Sequence, residues 1–277
     1  MNPDEYCRQK AAASGSSFYY SFLFLPAERR RAITALYAFC REVDDVVDES
    51  SDAHLAATRL AWWRAEVAST FAGKPSHPVA RALAVFREQF SISEKRLNEI
   101  IDGMEMDLTQ TRYLDWPSLE RYCYRVAGVV GELAAGIFGY RDARTLEYAK
   151  RLGIAFQLTN IIRDVGEDAR KNRIYLPIED LQRFGVTAAD ILHRRETPQF
   201  RALMEFEAQR AKAHYRQALE ALPRGDRRAQ RPGLIMAAIY RTLLGEIERD
   251  GFHVLAQRTS LTPIRKFWIA WKTWITA

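Results

Sequence analysis

The side chains with the most chemical potential are carboxylates at helical spacing in two separate stretches. The first reads Tyr37-Ala38-Phe39-Cys40-Arg41-Glu42-Val43-Asp44-Asp45-Val46-Val47-Asp48-Glu49. At about 100° per residue, Tyr37, Arg41, Asp44 and Asp48 fall within an arc of roughly 60°, while Val43, Val46 and Val47 face elsewhere and can join a core. One stripe thus collects a phenol, a guanidinium and two carboxylates. Carboxylates at i and i+4 lie about 6 Å apart along the axis and repel, by a few tenths of a kcal/mol at a surface and by more where water is excluded. A hard divalent cation offsets that repulsion. Mg²⁺ suits the position, since it takes oxygen ligands, keeps some waters and is usually completed by substrate phosphates. The ordinary explanation of an acidic cluster is a solvated helix face. Ile33, Leu36, Phe39 and Cys40 count against it, because they make most of this helix a buried one.

The second stretch runs Gly153-Ile154-Ala155-Phe156-Gln157-Leu158-Thr159-Asn160-Ile161-Ile162-Arg163-Asp164-Val165-Gly166-Glu167-Asp168. Gln157, Asn160, Asp164 and Asp168 share an arc of roughly 80°, again beside apolar residues. A buried polar group without a partner costs about 1 to 3 kcal/mol, and a charge far more. A metal–diphosphate complex held between two such helices would satisfy the whole set. Arg163, Arg170, Lys171 and Arg173 follow closely and can supply positive charge to phosphate oxygens or pair with Glu167.

Helices must carry these stripes. Breakers fall at Gly73-Lys74-Pro75, Ser91 to Ser93, Trp116-Pro117, Gly139 to Asp142, Pro177, Gly185, Pro198, residues 224–233 and Pro263, and the segments between them have helical period. An all-α fold in one domain over residues 1–277 is expected. Thr197 and Pro198 read as an N-cap and a first helical residue, and Asp142 as the cap of a segment ending at Gly166. The charged run at 224–233 reads as a solvated connector. The small residues Val126-Ala127-Gly128-Val129-Val130-Gly131, with Ala134, Ala135 and Gly136, fit either tight helix packing or one wall of a ligand cavity.

Composition agrees with this picture: 48% hydrophobic residues with only 14 Gly and 10 Pro can bury a core. The 41 Lys and Arg are interspersed with 35 Asp and Glu, giving +6 without a basic tract, so nucleic acid is not an expected partner. The positive excess suits diphosphate substrates or an anionic membrane surface, and net charge does not separate them. Cys7, Cys40 and Cys123 form no disulfide or metal pattern, which fits a reducing cytoplasm. The five histidines lack metal-ligand spacing, no Gly-x-Gly-x-x-Gly occurs, and neither an export leader nor a spanning segment is expected. Pro263 to Ile275 mixes basic and aromatic residues at helical spacing. It is a candidate for peripheral contact at the inner face of a membrane, or for packing on the body.

The two acid motifs, in this order and with these neighbours, resemble the squalene and phytoene synthase family. The likeness extends to Ser16-Ser17-Phe18-Tyr19-Tyr20, to Tyr122-Cys123-Tyr124-Arg125 with the small-residue run after it, and to Arg173-Ile174-Tyr175-Leu176-Pro177. It implies an isoprenoid-synthase helical bundle with a central cavity between two Asp-rich helices. It also implies Mg²⁺ bound by Asp44, Asp48, Asn160, Asp164 and Asp168, with Asp45 as a secondary ligand. Tyr37, Arg41, Gln157, Arg163 and Tyr240 would lie near substrate, and Tyr37 joins the four motif aspartates as a catalytic candidate. Some members carry His or Lys in the first phosphate-contacting loop, where this chain has Ser14-Gly15-Ser16-Ser17. Contacts there, including that of Ser17, would come from hydroxyls and backbone amides.

Within the family, residues 17–26 and 35–49 are most similar to presqualene diphosphate synthases of bacterial hopanoid pathways. That similarity implies Mg²⁺-dependent head-to-head joining of two farnesyl diphosphates. Synthases of dehydrosqualene, squalene or phytoene would use the same aspartates. A non-catalytic assembly factor of this fold is the reading from another class, but its acid motifs decay, whereas Asp44, Asp48, Asn160, Asp164 and Asp168 are all present here.

Overall fold

The computed structural model describes residues 2–13, 18–22, 24–48, 50 and 52–277, apart from the side chains of Tyr19 and Tyr20. Ser17 lies outside the described residues. The chain begins with α1 (Pro3–Ala13), α2 (Phe18–Phe22) and α3 (Ala27–Asp48), followed by α4 (Ala53–Phe71), α5 (Pro78–Phe86) and α6 (Glu94–Thr109). Next come α7 (Trp116–Cys123), a π-helical turn (Tyr124–Gly128), α8 (Val129–Phe138) and the long α9 (Arg144–Arg170). The rest comprises α10 (Ile178–Phe184), α11 (Ala188–Leu192), α12 (Pro198–Ala221), α13 (Arg231–Arg249) and α14 (Pro263–Thr276). Among the described residues the only extended pairing is an isolated bridge between Arg112 and Ile174, so the expected all-α class holds.

Short polar side chains start several of these helices by accepting amide protons that have no partner within the helix. Asp52 accepts from His54 at 2.8 Å, Asp115 and Ser118 form a reciprocal capping box, and Thr197 accepts from Phe200 at 3.1 Å with Pro198 behind it. Asp142 accepts from the Arg144 amide at 2.9 Å, as its position suggested. The helix it starts does not end at Gly166, however. It runs one more turn to Arg170, and Gly166 is instead a crossing point: its N–H donates to the Val254 carbonyl at 3.2 Å, and a Cβ there would lie 2.6 Å from that oxygen. The missing side chain lets the 254–255 backbone lie directly on α9.

Two apolar clusters put the acid helices on opposite sides of a cavity. Leu36 and Phe39 of α3 pack with Leu60, Phe86, Ile100 and Leu133, while Leu158 and Ile162 of α9 pack with Leu203, Met204, Ile235 and Ile239. Each such side chain contributes on the order of 1.5–3 kcal/mol by burial, so both helices are fixed from behind. The small-residue run serves both purposes proposed for it. A Cβ at Gly131 would run into the Ala149 carbonyl, and one at Gly153 into that of Ala127, while Ala127, Val130 and Ala134 face the cavity.

The 224–233 stretch is only in part a solvated connector: Arg224, Gly225, Arg227 and Arg228 are exposed, but Asp226 and Gln230 are turned inward. Asp226 is buried and accepts from the amides of Arg141 (2.9 Å) and Asp142 (3.0 Å) and from the Thr145 hydroxyl (2.7 Å). Buried Gln230 donates to the Ala135 and Gly139 carbonyls. These bonds satisfy helix-end groups that would otherwise be buried unpaired, and they close the end of the bundle remote from the acid motifs.

Candidate active site

The period of α3 sets one side of the site and that of α9 the other. Asp44, Asp48, Asp164 and Asp168 line a common pocket with Gln157, Asn160, Arg163, Lys171 and Arg173, so the four motif aspartates meet as the two stripes predict. Tyr37, Arg41, Asn160, Arg163 and Tyr240 line an adjoining pocket with Arg258 and Lys266. Below both is an apolar cavity bordered by Phe18, Phe22, Leu36, Val130, Phe156 and Met236, with Tyr37, Gln157, Asn160 and Tyr240 at its rim. Asn160 borders all three spaces. Tyr37 rests on Phe18 with ring centroids 5.4 Å apart, and Tyr240 on Phe156 at 4.8 Å.

Asp45 is not brought into the acidic pocket. About 100° around α3 from Asp44, its carboxylate is held by Arg41 and by Lys10 of α1 at 2.8 Å. Arg170 is likewise exposed and lines none of these spaces, and Glu167 pairs with Arg258 at 3.1 Å.

Five contributors were missed in the sequence: Asp107, Tyr122, Tyr175, Arg258 and Lys266. The Asp107 carboxylate on α6 accepts from the hydroxyls of Tyr122 (2.9 Å) and Tyr175 (2.8 Å). Its signal was available, as it continues the buried Ile100, Met104 stripe at i+7. Tyr122 and Tyr175 lie within stretches that carry the family likeness, yet neither was singled out. Tyr175 is seated by a short extended segment in which Ile174 and Ile178 donate to the carbonyls of Thr111 and Tyr113. Arg258 and Lys266 gave no local signal, because the fold delivers them from beyond the crossing at Gly166.

Charge is unevenly compensated. Asp44 lies 2.6 Å from Arg41, and Asp48 accepts from Lys171 (3.2 Å) and Arg173 (3.3 Å). Asp164 accepts from Arg163 (2.7 Å) and Arg258 (2.8 Å). Burial would raise its pKa, but those two guanidinium groups hold it below the usual carboxylate value. Asp168 has no such clamp. Burial, then the charges of Asp164 and Asp107, push it up to about 7 against the pull of Arg173 and Lys171. Asp44 and Asp107 are each pushed up to about 6, mainly by burial.

This donor set fits a hard divalent cation. The Asn160 side-chain oxygen is buried without a hydrogen-bond partner, and burial together with nearby acidic charge makes Asp44 and Asp168 resist ionising. Among the described residues no three acidic, histidine or cysteine side chains converge tightly enough to hold a metal by themselves. Mg²⁺ coordination is commonly shared among protein, water and substrate phosphate.

A family model described as squalene/phytoene synthase matches residues 11–265. The chain belongs to that family. It is 37% identical over 275 residues to a phytoene synthase of Arthrospira platensis, covering 95% of this chain and 89% of that protein. With a 15-cis-phytoene synthase of Synechocystis sp. it shares 35% identity over 285 residues, covering 99% and 85%. A dehydrosqualene synthase solved with a ligand superposes with a TM-score of 0.87 at 31% identity, covering 98% of this chain and 95% of that one. The squalene synthase HpnC from Alicyclobacillus acidocaldarius gives 0.81 at 30% identity, covering 90% and 94%. Members of the squalene/phytoene synthase family are prenyltransferases of isoprenoid biosynthesis that bind isoprenyl diphosphates. The isoprenoid-synthase helical bundle is therefore the fold of this chain.

Proposed function

We propose that the protein joins two farnesyl diphosphates head to head into presqualene diphosphate, releasing one diphosphate and a proton. The observation that carries this reading is the meeting, at Asn160, of an acid-lined pocket, a cation-lined pocket and an apolar cavity. Two charged headgroups and two hydrocarbon chains call for such a division.

In this reading Asp44, Asp48, Asn160, Asp164 and Asp168 hold Mg²⁺, which when bound supplies positive charge to the leaving diphosphate. Asp45 has a supporting task, holding Arg41 together with Lys10. Lys171 and Arg173, which contact Asp48, can turn to phosphate oxygens as the donor C–O bond breaks, because charge-assisted bonds strengthen when the acceptor gains charge. The second diphosphate fits the pocket of Arg41, Arg163, Arg258 and Lys266. Phe18, Phe22 and Phe156 line the cavity and would keep water from the allylic cation, which aromatic rings also stabilise. The double bond of the second chain attacks that cation, and loss of a proton closes the cyclopropane. Burial raises the Tyr240 pKa, so its hydroxyl stays protonated and is suited to orient the departing diphosphate, whose oxygens then accept the proton.

The farnesyl length is supported by the likeness at residues 17–26 and 35–49 and by the names of the two structural neighbours. A phytoene synthase using two geranylgeranyl diphosphates is the second reading, favoured by the names of the sequence relatives. Mass spectrometry of products from each diphosphate with Mg²⁺, with and without NADPH, separates them. Presqualene diphosphate should accumulate from farnesyl diphosphate, little affected by NADPH. Squalene with NADPH, or dehydrosqualene without it, would show that the reaction continues past presqualene diphosphate. Phytoene with no C30 product would overturn the chain length.

A further inference from the structure

The exposed apolar surface is concentrated on the last helix. Of the eleven large apolar side chains exposed among the described residues, five belong to α14: Ile264 (83% exposed), Phe267 (49%), Trp268 (55%), Trp271 (49%) and Ile275 (59%). Their spacing of 0, 3, 4, 7 and 11 gathers them into a stripe of roughly 100°. An ordinary surface helix turns such a stripe toward the core. Here the helix is already docked through its other side, where Ala270 is buried and Trp274 stacks on Phe24 at 5.1 Å beneath the Arg231 guanidinium. The stripe is therefore not needed to hold α14 on the body.

We propose that this stripe is a docking surface for an anionic lipid bilayer, in whose interface α14 lies flat. Charge complementarity selects that partner. The helix contains no acidic residue, and Arg265 and Lys272 both lie along one edge of the stripe, Arg265 paired with Glu246 of α13 and the Lys272 ammonium 5.1 Å from the Trp268 ring centre. Aromatic side chains beside basic ones are the composition favoured at the headgroup boundary. At about 1.5 Å per residue the 14-residue helix is only about 21 Å long, and no helix among the described residues is long and apolar enough to cross a membrane.

Docking this way also places the bilayer beside the site. Lys266, between Ile264 and Phe267 in the sequence, lines the cationic pocket with Arg163 and Arg258. A lipid chain leaving or entering there would meet the membrane rather than water. The docking proposal itself rests on α14 and stands whichever prenyl chain the cavity accepts.

The test is cosedimentation of the full-length protein with phosphatidylcholine vesicles, with and without phosphatidylglycerol, at low and high salt. The wild type should partition onto the anionic vesicles and release as salt rises, because screening weakens attraction to a charged surface. The triple variant Phe267→Ser, Trp268→Ser, Trp271→Ser, shown to be folded by circular dichroism, should lose at least about tenfold in partitioning, and Arg265→Gln with Lys272→Gln should lower the salt dependence. Wild type that stays in the supernatant with anionic vesicles, or a triple variant that sediments equally well, would overturn the proposal. So would a wild-type dimer that becomes monomeric in the triple variant without any vesicle binding, since the stripe would then be a contact between two copies.

Discussion

Asp164 and Asp168 stand one turn apart on the same face of α9, yet their surroundings drive their protons in opposite directions. The first is clamped by Arg163 and Arg258 and held below the ordinary carboxylate value, whereas the second is pushed up to about 7 by burial and by the first one's charge. A carboxyl with a raised pKa binds its proton more tightly in the folded chain than in the unfolded one. Its stabilising effect is present at low pH and fades as pH rises from 3.8 through about 7. Asp44 and Asp107, each near 6, act in the same direction, while Asp164 loses its contribution as pH falls from 3.8 through its depressed value, outside this window. Metal-free protein should therefore melt at progressively lower temperature as pH rises from about 4 to about 7, and Mg²⁺ with inorganic diphosphate should stabilise it most at the upper end. Asp168→Asn should flatten the metal-free profile. A melting temperature indifferent to pH across that window would show that the crowding is relieved in some other way.

Replacing Asp48 or Asp164 by Ala should lower turnover by roughly 10²- to 10³-fold or more, because each removes an oxygen donor facing the reacting headgroups. Helical content should stay at the wild-type level, as neither side chain is part of an apolar cluster. Asp45→Ala is the contrasting variant. Its carboxylate lies outside the pocket and acts through Arg41, so the loss should stay within about tenfold. Steady-state kinetics beside circular dichroism decides, and equal losses for Asp45 and Asp48 would return Asp45 to the metal.

The two acid stripes were legible in the sequence because each is a local pattern: one helix and one period fix which side chains share a face, and apolar neighbours show that the face is not a free surface. Asp107 was legible by the same rule but is a single acid on an apolar stripe, which draws less attention than a pair. Arg258 and Lys266 follow from tertiary placement alone. Gly166 was misread for a related reason. Glycine weakens a helix by about 1 kcal/mol relative to Ala, which suggests an end, but a close backbone crossing outweighs that preference. The connector at 224–233 has a surface composition, and only the partners of Asp226 and Gln230 reveal that its polar groups are needed inside.

Gly166→Ala tests whether that crossing positions Arg258. An added Cβ would strike the 254–255 backbone, and overpacking of this kind costs about 1–3 kcal/mol. At about 2–4 °C per kcal/mol for a chain of this size, the melting temperature should fall by several degrees. KM for the diphosphate should rise as Arg258 moves from Asp164, and Arg258→Gln should raise KM similarly with little change in melting. If the Gly166→Ala variant loses stability but keeps its KM, the crossing supports the fold without setting the pocket.

The floor of the cavity should set the longest chain accepted. From Asn160 at the rim to Tyr148 near the closed end is twelve residues of α9, about 18 Å of helix. The Tyr148 hydroxyl is buried without a partner, and a Cβ on Gly233 would lie 2.6 Å from it, so the ring and the bare α13 backbone meet as a stop, with Gln230 beside them in the cavity wall. Tyr148→Phe removes an unsatisfied hydroxyl, whose burial costs about 1–3 kcal/mol, and should raise the melting temperature while leaving chain preference unchanged. Tyr148→Leu shortens the stop and should raise turnover of geranylgeranyl relative to farnesyl diphosphate, with Tyr148→Ala raising it further if that variant folds despite losing about 3–5 kcal/mol. Competition between the two diphosphates, with products resolved by mass, reads the ratio directly. An unchanged ratio in a folded Tyr148→Leu variant would mean that the chains end short of α9's first turns, and that the limit lies higher in the cavity, at Phe22 or Phe156.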